Sequence, residues 1–594
     1  MHIVIVNKKY CYANECVWDG EHKKYRNPGK CIGRIDIKGS KSEFVPNKYM
    51  LQILSLYATD KETLSKYELL IADTAIAKYG DGIIRTTSAA ASTNAEFQTA
   101  RAVFYGPQLV FGAITKRYNM QSYLESAFPN QVALDILSLT WYIAAEGSAL
   151  TNSDSWLGYY ENPRGSAMSS QDISRLLDRM TTDEMMGFYK LWLTSNSSSQ
   201  DNDRVLYDIT SISYYGDTIN AAERGYNSDG ENLSQVKLAL LCKRKTGMPL
   251  FTWTVNGSIS DMNTLGDTLR MMEKLGYMPN CLMMDRGFGS KDNIFYMLQK
   301  GYIFLQALRL NADWIRNLID EGGDERSSPD SMITDDGRTY YASTVKCIWA
   351  LIRLNPGKKT EREDIRVVPY KNKKQMATWQ PDGENAVVVE KYICSFYALF
   401  CQDLVGSQRD QFMASLKSEH ERLVSDENAV VKKEHAKFFV IDKPKYARHR
   451  IVEYNIDTIK LNENKYVGYV CFLSNDRYIS TAQDALSEYS TRDYIEKDFD
   501  EMKNDLDMRR IRVHADQRMK ARLFIQFLAE IYIREIRTRL HASELCSKMT
   551  KRQIFSHIKT IYMIKFKGKY RDIFPSLSKS QRSILEALGI NANH

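Results

Sequence analysis

The sequence predicts an α/β protein that is built around a mixed β-sheet. Short turns separate three or four apolar segments between residues 204 and 255, which indicates antiparallel strands. Helical and strand patterns then alternate up to residue 306. We expect the later strands to pair in parallel, because parallel strands are joined by helical crossovers.

The elements of this sheet follow from their residues in order. The first strand is the apolar segment Arg204–Thr210, and a Gly-Met-Pro turn at 247–249 precedes the third strand. Leu265, Leu269 and Met272 recur at helical spacing and predict an amphipathic helix. The predicted elements are strands at 204–210, 236–242 and 250–255, a helix at 264–275, a strand at 281–285, a helix at 291–300 and a strand at 302–306. This order is the outline of a ribonuclease-H-like core.

Composition divides the rest of the chain into further units. The first fifty residues combine short apolar strands with turns and basic residues, whereas residues 51–195 contain helical repeats. A helix-turn-helix reader of DNA and a plain helical bundle both fit the helical part. Residues 194–203 are rich in Ser and Asn and predict a linker. The predicted units are a small β-rich basic module (1–50), a helical region for which DNA binding is one of these two interpretations (51–195), the first part of the core (204–310), a β-rich insertion (311–464), the second part of the core with a charged helix (465–545) and a basic helical C-terminal region (546–594).

Composition also excludes some classes of protein. The chain has 594 residues, of which 43% are hydrophobic and 26% charged, as in ordinary globular proteins. Neither an apolar run of membrane-spanning length nor a leader sequence is found, so we expect a cytoplasmic protein without a membrane partner. Ten cysteines without a CxxC pair predict reduced, mostly buried thiols.

Positive charge is concentrated near the C-terminus. Between Thr491 and Ser580 the sequence has 21 Lys/Arg against 12 Asp/Glu, which indicates a polyanionic partner. A merely soluble basic surface is the alternative. The amphipathic segment Gln517–Leu540 is predicted to pack against a core and to show a basic face, which consists of Arg518, Lys520, Arg522, Arg534 and Arg537.

Two aspartates occupy unusual positions in predicted strands. Asp208 lies within the first apolar strand, and Asp285 ends a later one. Burying an ionised aspartate in a sheet is costly unless it is paired or bound to a cation. A lone example is usually a strand-end cap or a turn acid, but two in neighbouring strands can share a metal ion. Carboxylate oxygens are the ligands that Mg²⁺ and Mn²⁺ prefer.

A charged segment later in the chain offers a third carboxylate. Read as a helix, this segment forms one stripe from Tyr489, Arg492, Glu496 and Lys503. Such a face suits metal-assisted chemistry on a phosphodiester, because the acid can hold the ion while the cations bind phosphates. A solvated helix with i,i+4 ion pairs is the alternative.

The spacing Y-x2-R-x3-E-x6-K resembles the YREK signature of a group of bacterial insertion-sequence transposases, which are cut-and-paste DDE enzymes. The sequences Tyr207–Thr210 and Met284–Phe288 strengthen this resemblance, which spans roughly residues 204–540. It implies that two Mg²⁺ or Mn²⁺ ions per active site are bound by Asp208, Asp285 and Glu496. It also implies that DNA near the cut strand is contacted by Tyr489, Arg492 and Lys503.

The resemblance carries further expectations. The separation of 211 residues between Asp285 and Glu496 is too long for a bare ribonuclease-H-like fold, and members of this group carry a β-rich insertion there. Arg286 is a candidate DNA contact, although a simple strand-to-helix turn fits equally. Relatives that form a DNA hairpin stack a flipped base on an aromatic residue of the insertion. Trp349 and Trp379 fit core positions better than this role, and no hairpin is predicted.

The predicted function is that of a bacterial, nucleoid-associated DNA transposase. It binds the terminal inverted repeats of its own element, cleaves them by two-metal-ion hydrolysis and joins the 3′-hydroxyl ends to target DNA. Its expected partners are double-stranded DNA, from transposon ends and from the target, and a second copy of the chain that forms a homodimer in the DNA complex. Two alternatives stay open: a ribonuclease-H-type DNA nuclease without strand transfer, and a catalytically idle DNA-binding descendant.

Overall fold

The computed structural model describes residues 2–7, 10–14, 17–19, 24–26, 29–38, 41–47, 101–147, 150–196, 204–225, 233–381, 385–426, 428–432, 435–442, 450–490, 492, 510–543, 545, 549, 551–566 and 572–591. These residues fall into two compact units. The smaller unit is drawn from residues 1–105 and 561–577, and the larger from 106–560 and 578–593. None of the described helices is long and apolar enough to cross a membrane.

The smaller unit consists of antiparallel strand pairs. Its strands are β1 (His2–Val6), β2 (Tyr10–Asn14), β3 (Val17–Asp19), β4 (Lys24–Arg26), β5 (Gly29–Lys38), β6 (Lys41–Pro46), β7 (Arg101–Phe104) and the late strand β21 (Tyr562–Lys565). One sheet has the order β1-β2-β5-β6, while β3 pairs with β4 and β7 pairs with β21. Cys11, Ile32 and Ile35 are buried in the four-stranded sheet and give it an apolar side.

The helices at the two ends of the larger unit form a bundle that contains one long helix (Asp516–His541). Their ranges are α1 (Gly106–Arg117), α2 (Met120–Ala127), α3 (Asn130–Glu146), α4 (Ser153–Tyr159), α5 (Ser170–Arg179), α6 (Thr182–Ser195), α15 (Asp516–His541), α16 (Lys551–Lys559) and α17 (Lys579–Ala587). Ser169 and Thr181 begin α5 and α6 with capping boxes, which satisfy the first backbone N–H groups of each helix. Phe524 of α15 packs against the rings of Phe128 and Tyr189, so aromatic side chains fill this core.

Eleven described strands form one mixed sheet at the centre of the larger unit. They are β8 (Val205–Tyr214), β9 (Glu223–Arg224), β10 (Ser234–Lys243), β11 (Pro249–Asn256), β12 (Leu282–Met284), β13 (Phe304–Leu308), β14 (Met332–Asp335), β15 (Arg338–Leu354), β16 (Arg362–Pro369), β17 (Ala386–Phe400) and β20 (Tyr469–Ser474). The order is β11-β10-β8-β12-β13-β20-β17-β15-β14, with β9 beside β10 and β16 beside β15. The β8–β12 and β12–β13 pairs are parallel, and β10 is antiparallel to both of its long neighbours. The predicted α/β class with a mixed sheet is confirmed.

Strands from the region predicted as an insertion extend this central sheet. β15 is 17 residues long and pairs with β17 over most of its length. The second half of β17 then pairs with β20, which itself pairs with β13. The long strands therefore continue the central sheet without a break.

Helices and two small cores surround the rest of the sheet. The helices are α7 (Asp261–Lys274), α8 (Lys291–Gln299), α9 (Asp313–Glu321), α10 (Gly323–Arg326), α11 (Lys373–Thr378), α12 (Val405–Ser425), α13 (Ile456–Tyr466) and α14 (Ala482–Ser490), and a hairpin joins β18 (Phe439–Asp442) to β19 (Ile451–Tyr454). Leu416, Leu423 and Phe438 form a small core beneath α12. Trp349 is fully buried against Trp314, and Trp379 packs on a second small core, which agrees with the core interpretation of both tryptophans.

The predicted basic face of α15 is wrong for two of its residues. Arg522 and Arg534 are only 8% and 6% exposed. The reason is that α15 has neighbours on several sides, because α3, α5, α6 and β11 all pack against it. The described cysteines form no disulfide and, apart from the half-buried Cys31, are buried, which agrees with the prediction of mostly buried thiols.

Candidate active site

The two predicted aspartates lie on or directly after neighbouring strands. Asp208 is the fourth residue of β8, and Asp285 directly follows β12. The strands are parallel, and Met284 pairs with Tyr207, so the next position along each strand is an aspartate. The two side chains are 15% and 26% exposed, so both are only partly accessible to solvent.

Backbone groups orient both carboxylates. Asp285 caps the short 3-10 turn Arg286–Phe288, and its Oδ1 accepts the first N–H of that turn at 2.6 Å. Gln306 Nε2 donates to the carbonyl of Asp285 at 2.6 Å, which ties the end of β12 to β13. Asp208 Oδ1 accepts the N–H of Ile209 at 2.8 Å. These bonds restrict how far either carboxylate can rotate.

Tyr489 reaches Asp285 from the last turn of α14. Its hydroxyl donates to Asp285 Oδ1 at 2.9 Å, and its ring packs against Phe472 of β20 with 4.9 Å between ring centroids. Burial, followed by the negative charge of Asp285, raises the pKa of the Tyr489 phenol. Tyr489 is therefore a neutral hydrogen-bond donor at physiological pH.

Arg492 bridges the two aspartates. Its Nη1 lies 3.3 Å from Asp285 Oδ1, and its Nη2 lies 3.6 Å from Asp208 Oδ2. Nη1 also donates to the Tyr489 hydroxyl at 3.0 Å. One guanidinium thus contacts both carboxylates, which shows that they converge on a common cationic centre.

The segment that starts at Tyr489 is predicted to be a single helix, but the helix is not continuous between Tyr489 and Arg492. α14 ends at Ser490, and Arg492 lies in a turn, where its N–H donates to the Tyr489 carbonyl at 3.0 Å. Its side chain is held in this turn by the two aspartates and the Tyr489 hydroxyl. Glu496 and Lys503 lie outside the described residues. Within the described residues, no three His, Cys, Asp or Glu side chains are grouped to hold a metal ion.

The two described aspartates nevertheless fit a divalent cation. They supply hard oxygen ligands from neighbouring positions on two adjacent strands, and Arg492 places a positive charge between them. Mg²⁺ and Mn²⁺ accept a few carboxylates together with water and phosphate oxygens, so two protein ligands and one more acid suffice.

A cleft of about 810 Å³ adjoins the aspartates. Asp285, Tyr489 and Arg492 line part of it, and α12 and α13 contribute much of the remaining wall. Cationic and aromatic side chains are frequent in the lining: Arg286, Arg309, Arg316, Phe412, Phe438, Tyr466 and Tyr469. Arg286 is exposed at this cleft. Arginine and aromatic groups are the side chains that bind phosphates and stack on bases.

Four charged residues that the sequence did not point to join the start of β8 to α14. We call them the Arg204 cluster; its members are Arg204, Arg244, Asp476 and Glu488. The available signals were local: Arg204 directly precedes the apolar strand of Asp208, and Glu488 directly precedes Tyr489. Their mutual contacts join distant parts of the chain and have no signature in the sequence.

Comparison with known proteins assigns a family. Residues 199–530, more than half of the chain, match the transposase DDE domain. A search of curated proteins finds no match. Among solved structures, the chain is similar to the piggyBac transposase in a synaptic complex with hairpin DNA, with 9% sequence identity and a TM-score of 0.32 over 76% of this chain and 78% of that one. This likeness is too distant to carry structural detail. On the match to its sequence, the chain belongs to the transposase DDE domain family.

Proposed function

We propose that this chain is a cut-and-paste DNA transposase of the YREK-signature group, encoded by a bacterial insertion sequence. It cleaves the terminal inverted repeats of its element and joins the freed 3′-hydroxyl ends to target DNA. One observation carries the proposal: Tyr489 and Arg492 of the motif contact Asp285 and Asp208, although more than 200 residues separate the two parts of the chain.

The strand order supports a ribonuclease-H-like core. β11, β10 and β8 form an antiparallel meander, and β12 and β13 continue the sheet in parallel on the other side of β8. Asp208 lies on β8, the middle strand of these five, and Asp285 directly follows its parallel neighbour β12. In the proposal, strands β14–β17 are the β-rich insertion of the group, placed between the second aspartate and Glu496.

The proposed metal ligands are Asp208, Asp285 and Glu496, which would hold two Mg²⁺ or Mn²⁺ ions. When bound, such ions activate a water or a 3′-hydroxyl and stabilise the departing oxygen of a phosphodiester. The chain itself orients the ligands. Tyr489 and the N–H of Arg286 both donate to Asp285 Oδ1, so this carboxylate is fixed before DNA binds.

Four side chains are proposed to contact the DNA: Tyr489, Arg492, Lys503 and Arg286. Arg492 already offsets one of the two negative charges of the aspartates, which would otherwise repel a phosphate more strongly. Arg286 lines the same cleft on the side of Asp285. Together with the aromatic side chains of the cleft, they form a surface suited to a DNA end.

The proposal includes an organisation of the whole chain. Residues 1–50 and 51–195 bind the DNA ends, the two parts of the core (204–310 and 465–545) carry the chemistry, and the basic residues of 546–594 contact DNA. Two copies of the chain hold two ends together as a homodimer in the DNA complex. We place the protein in the bacterial cytoplasm, at the nucleoid.

The test uses the full chain, Mg²⁺ and a supercoiled plasmid that carries the DNA flanking the gene on both sides. We expect cuts at the element ends and joined products. Asp208→Asn and Asp285→Asn should bind the same DNA but lose both products by about 10³-fold, because several kcal/mol of metal-dependent stabilisation is removed. Asp410→Asn, which changes an exposed acid on α12, is the matched control.

The same assay separates the alternatives. Cleavage without joined products identifies a nuclease that lacks strand transfer. DNA binding without cleavage by the native chain identifies an idle descendant. Full cleavage by Asp285→Asn shows that the site has been placed wrongly.

A further inference from the structure

The Arg204 cluster is a set of connected ion pairs. Arg204 Nη2 donates to Asp476 Oδ2 at 2.9 Å, and Arg204 Nη1 lies 2.8 Å from Glu488 Oε1. Arg244 Nε lies 3.2 Å from the other carboxylate oxygen of Glu488. Glu488 is therefore held between two guanidinium groups that come from different strands.

The cluster is largely shielded from solvent and has balanced charges. The Asp476 side chain is 4% exposed, and the other three members are 14–20% exposed. Two cations face two acids. Burial raises the pKa of the adjacent Cys281 thiol to about 12, so this sulfur adds no charge. Partly buried ion pairs of this kind are screened by salt less than exposed ones.

The members connect the strand of Asp208 to the helix of Tyr489. Arg204 precedes β8 directly and lies four residues before Asp208. The N–H of Arg244, just after β10, donates to the Arg204 carbonyl at 2.7 Å. Glu488 lies on α14 immediately before Tyr489. The cluster is therefore a direct physical link between two parts of the candidate site.

Glu488 and Tyr489 contact different partners from neighbouring positions on α14. Neighbouring residues on an α-helix point about 100° apart, because the helix has 3.6 residues per turn. While Glu488 faces the two arginines, Tyr489 faces Phe472 and Asp285. Asp484 caps the start of this helix by accepting the N–H groups of Ser480 and Thr481, and the helix packs on β15 and β17. The Arg204 cluster adds a contact at its other end, beside Tyr489.

We propose that Glu488 is a positioning residue for DNA cleavage: through Arg204 and Arg244, it holds α14 in the rotation that keeps Tyr489 on Asp285. The inference rests on the proposed function of the aspartates. Glu488 acts on the reaction only through its neighbours. A misplacement of about 1 Å at reacting groups costs up to about 10²-fold in rate, which makes such a link measurable.

The experiment compares Glu488→Gln with the native chain in the plasmid assay. We expect kcat to fall about 10- to 100-fold while KM for end DNA stays within about twofold, because the ligands are misplaced but the DNA surface is kept. Hydrogen–deuterium exchange of residues 482–490 should become faster. Glu463→Gln removes an ion pair of the same length but with a more exposed arginine, Arg409 at 2.8 Å, and should leave both readouts unchanged.

A second variant tests whether Glu488 acts through Arg244. Arg244→Gln removes one of the two arginine partners and is the milder change. We expect it to lower kcat in the same direction, and the double variant Arg244→Gln/Glu488→Gln to be no worse than Glu488→Gln alone, because both substitutions break the same link. Additive losses would show that Glu488 acts without Arg244 and would overturn this route.

Asp285→Ala in the same assay separates the two proposals. If Asp285→Ala is inactive and Glu488→Gln keeps its kcat, the positioning role is wrong and the proposed function stands. If Asp285→Ala cleaves like the native chain, the proposed function is wrong, and the positioning role that rests on it is wrong as well. A third outcome is that the lower kcat of Glu488→Gln is explained by a lower Tm, that is, by a smaller folded fraction, while hydrogen–deuterium exchange at 482–490 is unchanged. In that case the residue is merely structural and the inference is overturned.

Discussion

Tyr489 donates a hydrogen bond to Asp285 from a position 204 residues further along the chain, with 2.9 Å between the phenol and carboxylate oxygens. The same carboxylate oxygen accepts a backbone N–H from Arg286. A carboxylate with two donors on one oxygen has a defined orientation, which a metal ligand requires. The tyrosine of the motif is therefore placed to orient an acid as well as to contact DNA.

We predict that Tyr489→Phe lowers the cleavage rate about tenfold, because Asp285 loses one of its fixed donors and the barrier rises by about 1.4 kcal/mol. The ring remains and keeps its contact with Phe472, so the folded structure should persist. Single-turnover cleavage of end DNA measures the rate, and thermal unfolding measures the Tm.

Tyr478→Phe is the control for this prediction. Its ring is 62% exposed, and its hydroxyl accepts a hydrogen bond from Arg477 away from the aspartates. Native rates in both variants would contradict an orienting role for Tyr489.

The two aspartates could be predicted from sequence because their signal is local. An acid inside or at the end of an apolar strand is unusual, whatever the rest of the chain does. The partner of Asp285 could not be derived in this way, since Tyr489 is brought to it by the pairing of β20 with β13. The prediction of a basic face on α15 is partly wrong for the same reason, because Arg522 and Arg534 are buried by elements from distant parts of the chain.

Glu419 of α12 provides a prediction about pH. Hydrogen bonds from Arg422, at 2.7 and 3.0 Å, lower the pKa of Glu419 to about 2 against the opposing effect of burial, and the N–H of Lys432 adds a third bond. The folded pKa is below the unfolded value of 4.5, so the ionised group stabilises the fold above about pH 4.5. This stabilisation, about 2–3 kcal/mol, is lost as the pH falls from 4.5 towards 2.

Glu419→Gln should therefore lower the free energy of unfolding at pH 7 and have little further effect near pH 2. Thermal or urea unfolding at several pH values measures the difference between the variant and the native chain. Glu421→Gln changes an exposed acid on the same helix and should give parallel curves. If the free energies of unfolding of the native chain and Glu419→Gln differed by the same amount at all pH values, ionisation of Glu419 would not be the source of the stabilisation.

Gly468 joins α13 to β20 beside the cleft in a conformation that disfavours other residues. Its φ is +94°, and a Cβ atom there would lie 2.7 Å from the ring of Phe400 and 2.8 Å from Val405. Gly276 has a φ of +70° but nothing within 4 Å of such an atom. Both positions carry the backbone cost of a positive φ, but only Gly468 adds a steric clash.

We predict that Gly468→Ala destabilises the protein by about 1–3 kcal/mol more than Gly276→Ala, because the neighbouring rings and methyl groups must shift. Unfolding of the two variants under the same conditions measures this difference. Equal destabilisation would show that Phe400 and Val405 move aside freely.

Substitutions of Arg492 test whether its guanidinium binds a DNA phosphate or only neutralises the two aspartates. If its guanidinium binds a DNA phosphate, Arg492→Gln should weaken binding of end DNA and reduce the slope of log K against log salt by about 0.9. Arg492→Lys should keep most of the slope, because the charge is retained. Arg409→Gln removes an exposed arginine that is paired with Glu463 and serves as the control.

The double variant Asp208→Asn/Arg492→Gln completes this test. It restores the local net charge, since one acid and one base are both neutralised. We expect its salt slope to stay low, because removing an acid does not replace a lost phosphate contact. Binding measured by fluorescence anisotropy without metal, over a range of salt, gives the slope directly. Full recovery in the double variant would show that Arg492 only neutralises the aspartates, and the DNA-binding role would then pass to other cations of the cleft.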